Sequence, residues 1–273
     1  MIRLLLFLSF SSLVNARNFE IGIPNLLYPI KVSLPENHKP REKHHTLLYY
    51  HRNSGRPTTS LMRNHPGSKG WIVAGMTYQQ QGTFTLNADT WQAERKAFHA
   101  VRKIMVDNHG TDPDDLYLAG LSKDGWYTNL MLQSESTVSG GIIMGAGHLH
   151  AAPTTFEKYT SPKPVHIEFG RSDGNDHAAL NALLYHRRMG GILTLEVQPK
   201  LGHDFPDNGS PSLAQWLKRP PSSFPKTHLL RTEKLLKCFE EQDKLRPKRL
   251  KPIEPETEAP NSRWRIPGSP LIY

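Results

Sequence analysis

The sequence predicts an α/β chain with a doubly wound, mostly parallel sheet. Short apolar runs alternate with segments of helical periodicity, the order that successive βαβ units produce. Several of the runs are apolar at nearly every position, as strands covered on both faces require. No internal repeat of 20 to 50 residues is present, which sets aside solenoids and propellers.

The elements follow in order. Residues 29–34 alternate apolar and polar side chains like an edge strand. Residues 46–51 and 71–75 are nearly continuous apolar runs and read as inner strands. Residues 89–108 have helical periodicity, with Trp91, Phe98, Val101, Ile104 and Met105 on one stripe. Asp89 is the expected N-cap of this helix, and His109-Gly110 its stop. A strand at 115–119 leads through a turn into a helix at about 123–132. Strands at 140–145, 164–170 and 193–197 follow, with helices at 177–189 and from 213 until Pro220-Pro221. Residues 227–244 form a charged helix with Leu229, Leu230, Leu235, Leu236 and Phe239 as its packing stripe.

The ends of the chain differ from its middle. Arg3 and the apolar stretch 4–13, followed by Val14-Asn15-Ala16, read as an export signal cleaved after Ala16. That stretch is too short for a stable membrane span, so the mature protein is expected to be secreted or periplasmic. The domain is expected over 17–243, and 244–273 is a basic, proline-rich tail with little to bury. The net charge of +9 is concentrated there, in the run 244–251. Such a run reads first as a solvated tail, and otherwise suits an acidic polymer or a membrane surface; it carries no interleaved aromatics for stacking on bases, so no nucleic-acid partner is expected. Cys238 is the only cysteine, which excludes an internal disulfide and a CxxC zinc cluster. The 14 histidines show no H-E-x-x-H spacing. Neither metal nor cofactor is expected.

The chemistry gathers at three strand ends. Gly120-Leu121-Ser122-Lys123-Asp124-Gly125 follows an apolar strand and approximates the G-x-S-x-G nucleophile elbow, whose sharp turn lifts a serine hydroxyl clear of the sheet. Asp124 occupies the position of the second glycine. Asp173, in Gly170-Arg171-Ser172-Asp173, and His203, in Leu201-Gly202-His203-Asp204, each follow a later strand. A serine needs a histidine to take its proton, and the histidine needs a carboxylate to orient it. Ser122, Asp173 and His203 supply these types in the order serine, acid, base. Asp176 is the alternative acid, or the N-cap of the next helix.

With these residues, 47–217 resembles the α/β-hydrolase superfamily, in particular its compact secreted serine esterases related to polyhydroxyalkanoate depolymerases and feruloyl esterases. The resemblance rests on residues 48–57, the elbow, Gly170-Arg171-Ser172-Asp173 and Leu201-Gly202-His203-Asp204. It implies an α/β-hydrolase fold with a minimal cap, since some fifty residues separate Ser122 from Asp173. It also implies an oxyanion hole built from the backbone N–H groups of Lys123 and Arg52, each donor contributing about 3 kcal/mol in the transition state.

Two departures from the family pattern stand out. Arg52 follows His51 where the family usually has glycine, and Asp124 brings a carboxyl whose negative charge would oppose an oxyanion. The leading expectation is therefore a hydrolase of carboxylic esters, polymeric or polysaccharide-linked. A catalytically impaired binding protein on the same scaffold is the alternative from another class. A serine peptidase of prolyl-oligopeptidase type is a third reading, although no propeller-sized N-terminal domain is present.

Overall fold

A computed structural model describes residues 17–39, 41–51, 56–78, 88–147, 163–174, 176–206 and 210–218, together with 233, 234, 237 and 241. The expected signal segment 1–16 and the tail 244–273 lie outside the described residues, as does Arg52. Only isolated positions of the expected helix 227–244 are described.

Eight strands form one sheet: β1 (Asn18–Ile21), β2 (Ile30–Ser33), β3 (His44–His51), β4 (Ile72–Met76), β5 (Thr111–Leu121), β6 (Gly140–Met144), β7 (Pro164–Gly170) and β8 (Ile192–Gln198). Their order across the sheet is β1-β2-β4-β3-β5-β6-β7-β8. The pairings from β4 through β3 to β8 are all parallel, and β1 and β2 close one side antiparallel. Five helices are described: α1 (Ser60–Asn64), α2 (Ala88–His109), α3 (Lys123–Ser134), α4 (Asp176–Arg188) and α5 (Pro211–Lys218). The doubly wound, mostly parallel architecture read from the sequence is the one observed.

Three local readings change. The strand at 29–34 is not the edge, because β1 pairs with β2 outside it. β1 is only 4 residues long and half-exposed, too short and too polar to leave an apolar run in the sequence. Helix α2 starts at Ala88, so Asp89 stands inside the first turn rather than before it. β5 begins at Thr111, four residues earlier than its apolar stretch. Thr111 pairs with His44, its hydroxyl meets that of Thr46 at 2.8 Å, and the register slips between these two β3 residues. A polar segment containing Pro113 is thereby accommodated in a bulge, which hides the strand from a hydrophobicity reading.

The two faces of the sheet bury separate cores. On one, Leu48, Ile72, Leu118, Ile143 and Ile167 meet Phe98, Val101 and Met105 of α2, Tyr127 and Met131 of α3, and Leu183 of α4. On the other, Leu47, Tyr49, Val73, Tyr117 and Ile142 meet Met62 of α1 and Leu213, Trp216 and Leu217 of α5. Four of the five residues in the predicted α2 stripe are buried, and Ile104 packs against them partly exposed. β6 ends at Met144 and β7 begins at Pro164, and residues 148–162 between them lie outside the described residues.

On β7 and β8 the second face becomes polar. His166 and Glu168 stand in register beside Ile142 and Met144 of the second core, and beside Thr194 and Glu196 of β8. All four of these polar residues are buried.

Candidate active site

The turn between β5 and α3 places Ser122. Its backbone has φ 61 and ψ −126, a left-handed conformation that a residue with a Cβ adopts only at a cost of about 1–3 kcal/mol. The turn is held from both sides. Ser122 N–H donates to the Met144 carbonyl at 2.9 Å, and the Ser122 carbonyl accepts from Gly125 N–H at 2.9 Å. The strain is what aims the side chain outward from the sheet, as the elbow motif requires.

The helix can follow the strand this closely only because of two glycines. A Cβ on Gly120 would lie 2.1 Å from the carbonyl oxygen of Asp124, inside the first turn of α3. A Cβ on Gly125 would lie 2.5 Å from Cβ of Ala146, just beyond β6. Gly125 is thus the small residue at the closest approach between α3 and the neighbouring strand.

That shift by one residue sends the Asp124 side chain into the core. Asp124 is fully buried, and its Oδ1 accepts a hydrogen bond from the Tyr78 hydroxyl. Tyr78 in turn packs against Tyr50 and Tyr127, with ring centroids 5.6 and 5.5 Å away. Burial pushes the Asp124 carboxyl well above the usual carboxylate range, which favours its neutral form. The expectation that its charge would face an oxyanion is therefore corrected. The group lies among tyrosines in the core, turned away from the surface of the turn.

The three sequence-predicted residues converge. His203 Nε2 lies 2.7 Å from Ser122 Oγ, and His203 Nδ1 lies 3.0 Å from Asp173 Oδ2. With the serine hydroxyl donating to Nε2, the ring proton sits on Nδ1 and is donated to Asp173. The Asp173 side chain is 1% exposed, whereas that of His203 is 44% exposed. The acid is shielded and the base faces outward. It is Asp173 that meets His203; Asp176 begins α4, and its side chain lies outside the described residues.

Two main-chain bonds stitch the acid loop to the histidine loop. Arg171 N–H donates to the Gln198 carbonyl at 2.8 Å, and Ser172 N–H to the Leu201 carbonyl at 3.1 Å.

Lys123 is the first residue of α3, where backbone N–H groups have no partner within the helix. Desolvation pushes the Lys123 ammonium down to about 8. The second expected oxyanion-hole donor, Arg52, lies outside the described residues. Among the described residues, no three His, Cys, Asp or Glu side chains are grouped so as to hold a metal ion. No helix among them is long and apolar enough to cross a membrane.

Sequence reasoning passed over one set of polar residues next to this site. Ser210 and Gln198, which flank the histidine loop, both reach the buried Glu168 of β7. The only trace in the sequence is the pair His166 and Glu168 interrupting an otherwise apolar strand.

No protein-family model matches the chain, and no curated protein matches it in sequence. Solved structures resemble it in fold. A carboxylesterase from Mesorhizobium loti is similar over 75% of this chain and 100% of its own, with a TM-score of 0.56 at 20% identity. S-formylglutathione hydrolase from Staphylococcus aureus is similar over 75% of this chain and 94% of its own, with a TM-score of 0.52 at 14% identity. Acylaminoacyl peptidase from Pyrococcus horikoshii is similar over 78% of this chain and 43% of its own, with a TM-score of 0.53 at 14% identity. At these identities the likeness is one of fold, and the fold is that of the α/β-hydrolases.

Proposed function

We propose that the protein is a secreted serine hydrolase of carboxylic esters. The observation that carries this reading is the chain Ser122–His203–Asp173, with contacts of 2.7 and 3.0 Å around a serine held at positive φ. In the proposed reaction His203 accepts the Ser122 proton as Oγ attacks the ester carbonyl. Asp173 stabilises the imidazolium that forms, and the N–H of Lys123, with that of Arg52, receives the developing oxyanion. His203 then returns the proton to the leaving alcohol, and water repeats the sequence on the acyl-enzyme.

Turnover is supported over a disabled binding scaffold by the burial of Asp124, which removes its charge from the oxyanion. The connection between β6 and β7 is too short to hold a large cap domain, which favours an open cleft and an extended or polymeric ester. The finer likeness to polyhydroxyalkanoate depolymerases and feruloyl esterases, and export through residues 1–16, belong to the same proposal. The basic charge would favour an acidic polymer carrying ester groups.

A fluorophosphonate probe tests the assignment. The folded protein should be labelled covalently, and Ser122→Ala should lose all labelling. Folded wild-type protein that takes up no probe would overturn it. Hydrolysis of p-nitrophenyl acetate by wild-type protein, absent in His203→Ala, extends the test from nucleophile to base.

A further inference from the structure

We propose that Glu168 is a positioning residue that clasps both ends of the loop bearing His203, and so sets the base against the acid and the nucleophile. The proposal rests on the reading of Ser122, His203 and Asp173 as the catalytic residues. Glu168 lies on β7, the strand whose end leads to Asp173, and its side chain is 0% exposed. Its Oε1 accepts from the Gln198 amide at 2.8 Å, and its Oε2 accepts from the Ser210 hydroxyl at 2.8 Å. Gln198 is the last residue of β8, and Ser210 immediately precedes α5. The chain between them is the segment that carries His203. One carboxyl group therefore holds the entry and the exit of that loop.

The clasp is itself held. His166 Nε2 meets Glu168 Oε2 at 2.9 Å, and His166 Nδ1 meets the Thr194 hydroxyl at 2.8 Å. With the threonine donating to Nδ1, the ring proton sits on Nε2 and is donated to Glu168. Glu168 thus accepts three hydrogen bonds and has one arrangement in which all are made. A polar network buried at this depth and satisfied throughout fixes geometry more than it adds stability, since apolar residues would fill the same space at no desolvation cost. Its place between the strand of the acid and the loop of the base accounts for polar residues on an otherwise apolar face.

Ser212 provides the control. It stands two residues further on in the same region, is equally buried, and donates in the same way to a carboxyl, that of Glu196, but does not reach Glu168. The experiment compares the fluorophosphonate labelling rates of wild type, Gln198→Ala, Ser210→Ala, Ser210→Thr and Ser212→Ala. It also compares amide hydrogen exchange over residues 199–206 in the same proteins. Gln198→Ala and Ser210→Ala should slow labelling by about tenfold or more, the size of effect that a small misplacement of a reacting group produces. Both should speed exchange in the loop. Ser210→Thr keeps the hydroxyl and should restore both readouts, and Ser212→Ala should leave both at the wild-type level.

Wild-type labelling and wild-type loop exchange in Gln198→Ala and Ser210→Ala would overturn the clasp. Equal slowing in Ser212→Ala would also overturn it. If the wild type takes up no probe, the catalytic reading fails on its own, and loop exchange still decides whether Glu168 holds the loop.

Discussion

Beneath the nucleophile lies a buried carboxyl with one hydrogen-bond donor on it; beneath the histidine loop lies another with three donors, an amide, a hydroxyl and an imidazole. Asp124 meets the Tyr78 hydroxyl through Oδ1, and its Oδ2 has no hydrogen-bond partner among the described residues. Glu168 receives Gln198, Ser210 and His166. A carboxyl taken out of water must either keep its proton or find donors for its oxygens. The first course leaves a group that packs like a polar core residue. The second ties distant segments together, because the donors come from β8 and from the start of α5. The nucleophile half of the site is thus set by close backbone packing, whereas the base half adds side-chain hydrogen bonds to its own close backbone approach, where a Cβ on Gly170 would lie 2.0 Å from the Leu201 carbonyl oxygen.

The comparison breaks most visibly at Glu168. Glu168→Ala strands three buried donors at once and should cost about 3–5 kcal/mol, the range for removing one partner from a buried polar network. Urea denaturation monitored by tryptophan fluorescence measures it. A loss under about 1 kcal/mol would mean that water replaces the carboxyl freely and that the site is not sealed.

Asp124 should respond to pH instead. Burial raises its pKa in the folded chain, so between the ordinary carboxyl range and that raised value the folded state holds a proton that the unfolded state has lost. Stability contributed at this position therefore falls as pH rises through the window, by up to about 1.4 kcal/mol per pH unit. The side-chain amide introduced by Asp124→Asn has no such proton to lose. The variant and the wild type should have their closest urea midpoints near pH 4 and diverge toward pH 8, with the variant becoming the more stable. Parallel curves would show that Asp124 ionises in the folded protein at little cost.

These two carboxyls were unequally legible in the sequence. Asp124 is visible as a fault in a motif, but its direction depends on Gly125 admitting the helix next to Ala146, a three-dimensional contact. Glu168 carries no motif at all, and its partners lie 30 and 42 positions away. Ser122, Asp173 and His203 were readable because each follows a strand end, where a parallel sheet gathers loops at one edge. β1 was missed for the opposite reason, since four half-exposed residues joined to the sheet by backbone hydrogen bonds leave no hydrophobic pattern. The polar start of β5 was missed in the same way.

Packing at the nucleophile half gives the next effect in size. In Gly125→Ala a methyl group would sit 2.5 Å from Cβ of Ala146 and 3.0 Å from the Met144 carbonyl, and both neighbours belong to the sheet side of the turn. Overpacking of this kind costs about 1–3 kcal/mol, from which the better helix propensity of alanine recovers part. Because the Met144 carbonyl also accepts from Ser122 N–H, the displacement should reach the elbow and slow fluorophosphonate labelling. Thermal unfolding and labelling rate together check this; a stabilised, fully reactive variant would show that the helix can lift without disturbing Ser122.

The smallest effect separates the conformation of Ser122 from its chemistry. Among the described residues, Asn25 and Ser122 are the two non-glycine positions with positive φ, and neither lies on the histidine loop. Among the described residues, backbone strain therefore sits on the nucleophile side of the comparison alone. Ser122→Ala and Ser122→Gly both remove the hydroxyl and should both be silent to the probe. They should differ in stability, because alanine keeps the Cβ that makes a left-handed backbone costly and glycine does not. Ser122→Gly should unfold at higher urea than Ser122→Ala, by about 1 kcal/mol once the greater freedom of glycine in the unfolded chain is counted. Equal stability would mean that the turn relaxes when the serine is lost. In that case the positive φ would be maintained by the hydroxyl's contact with His203, and the base half of the site would be holding the nucleophile half in place.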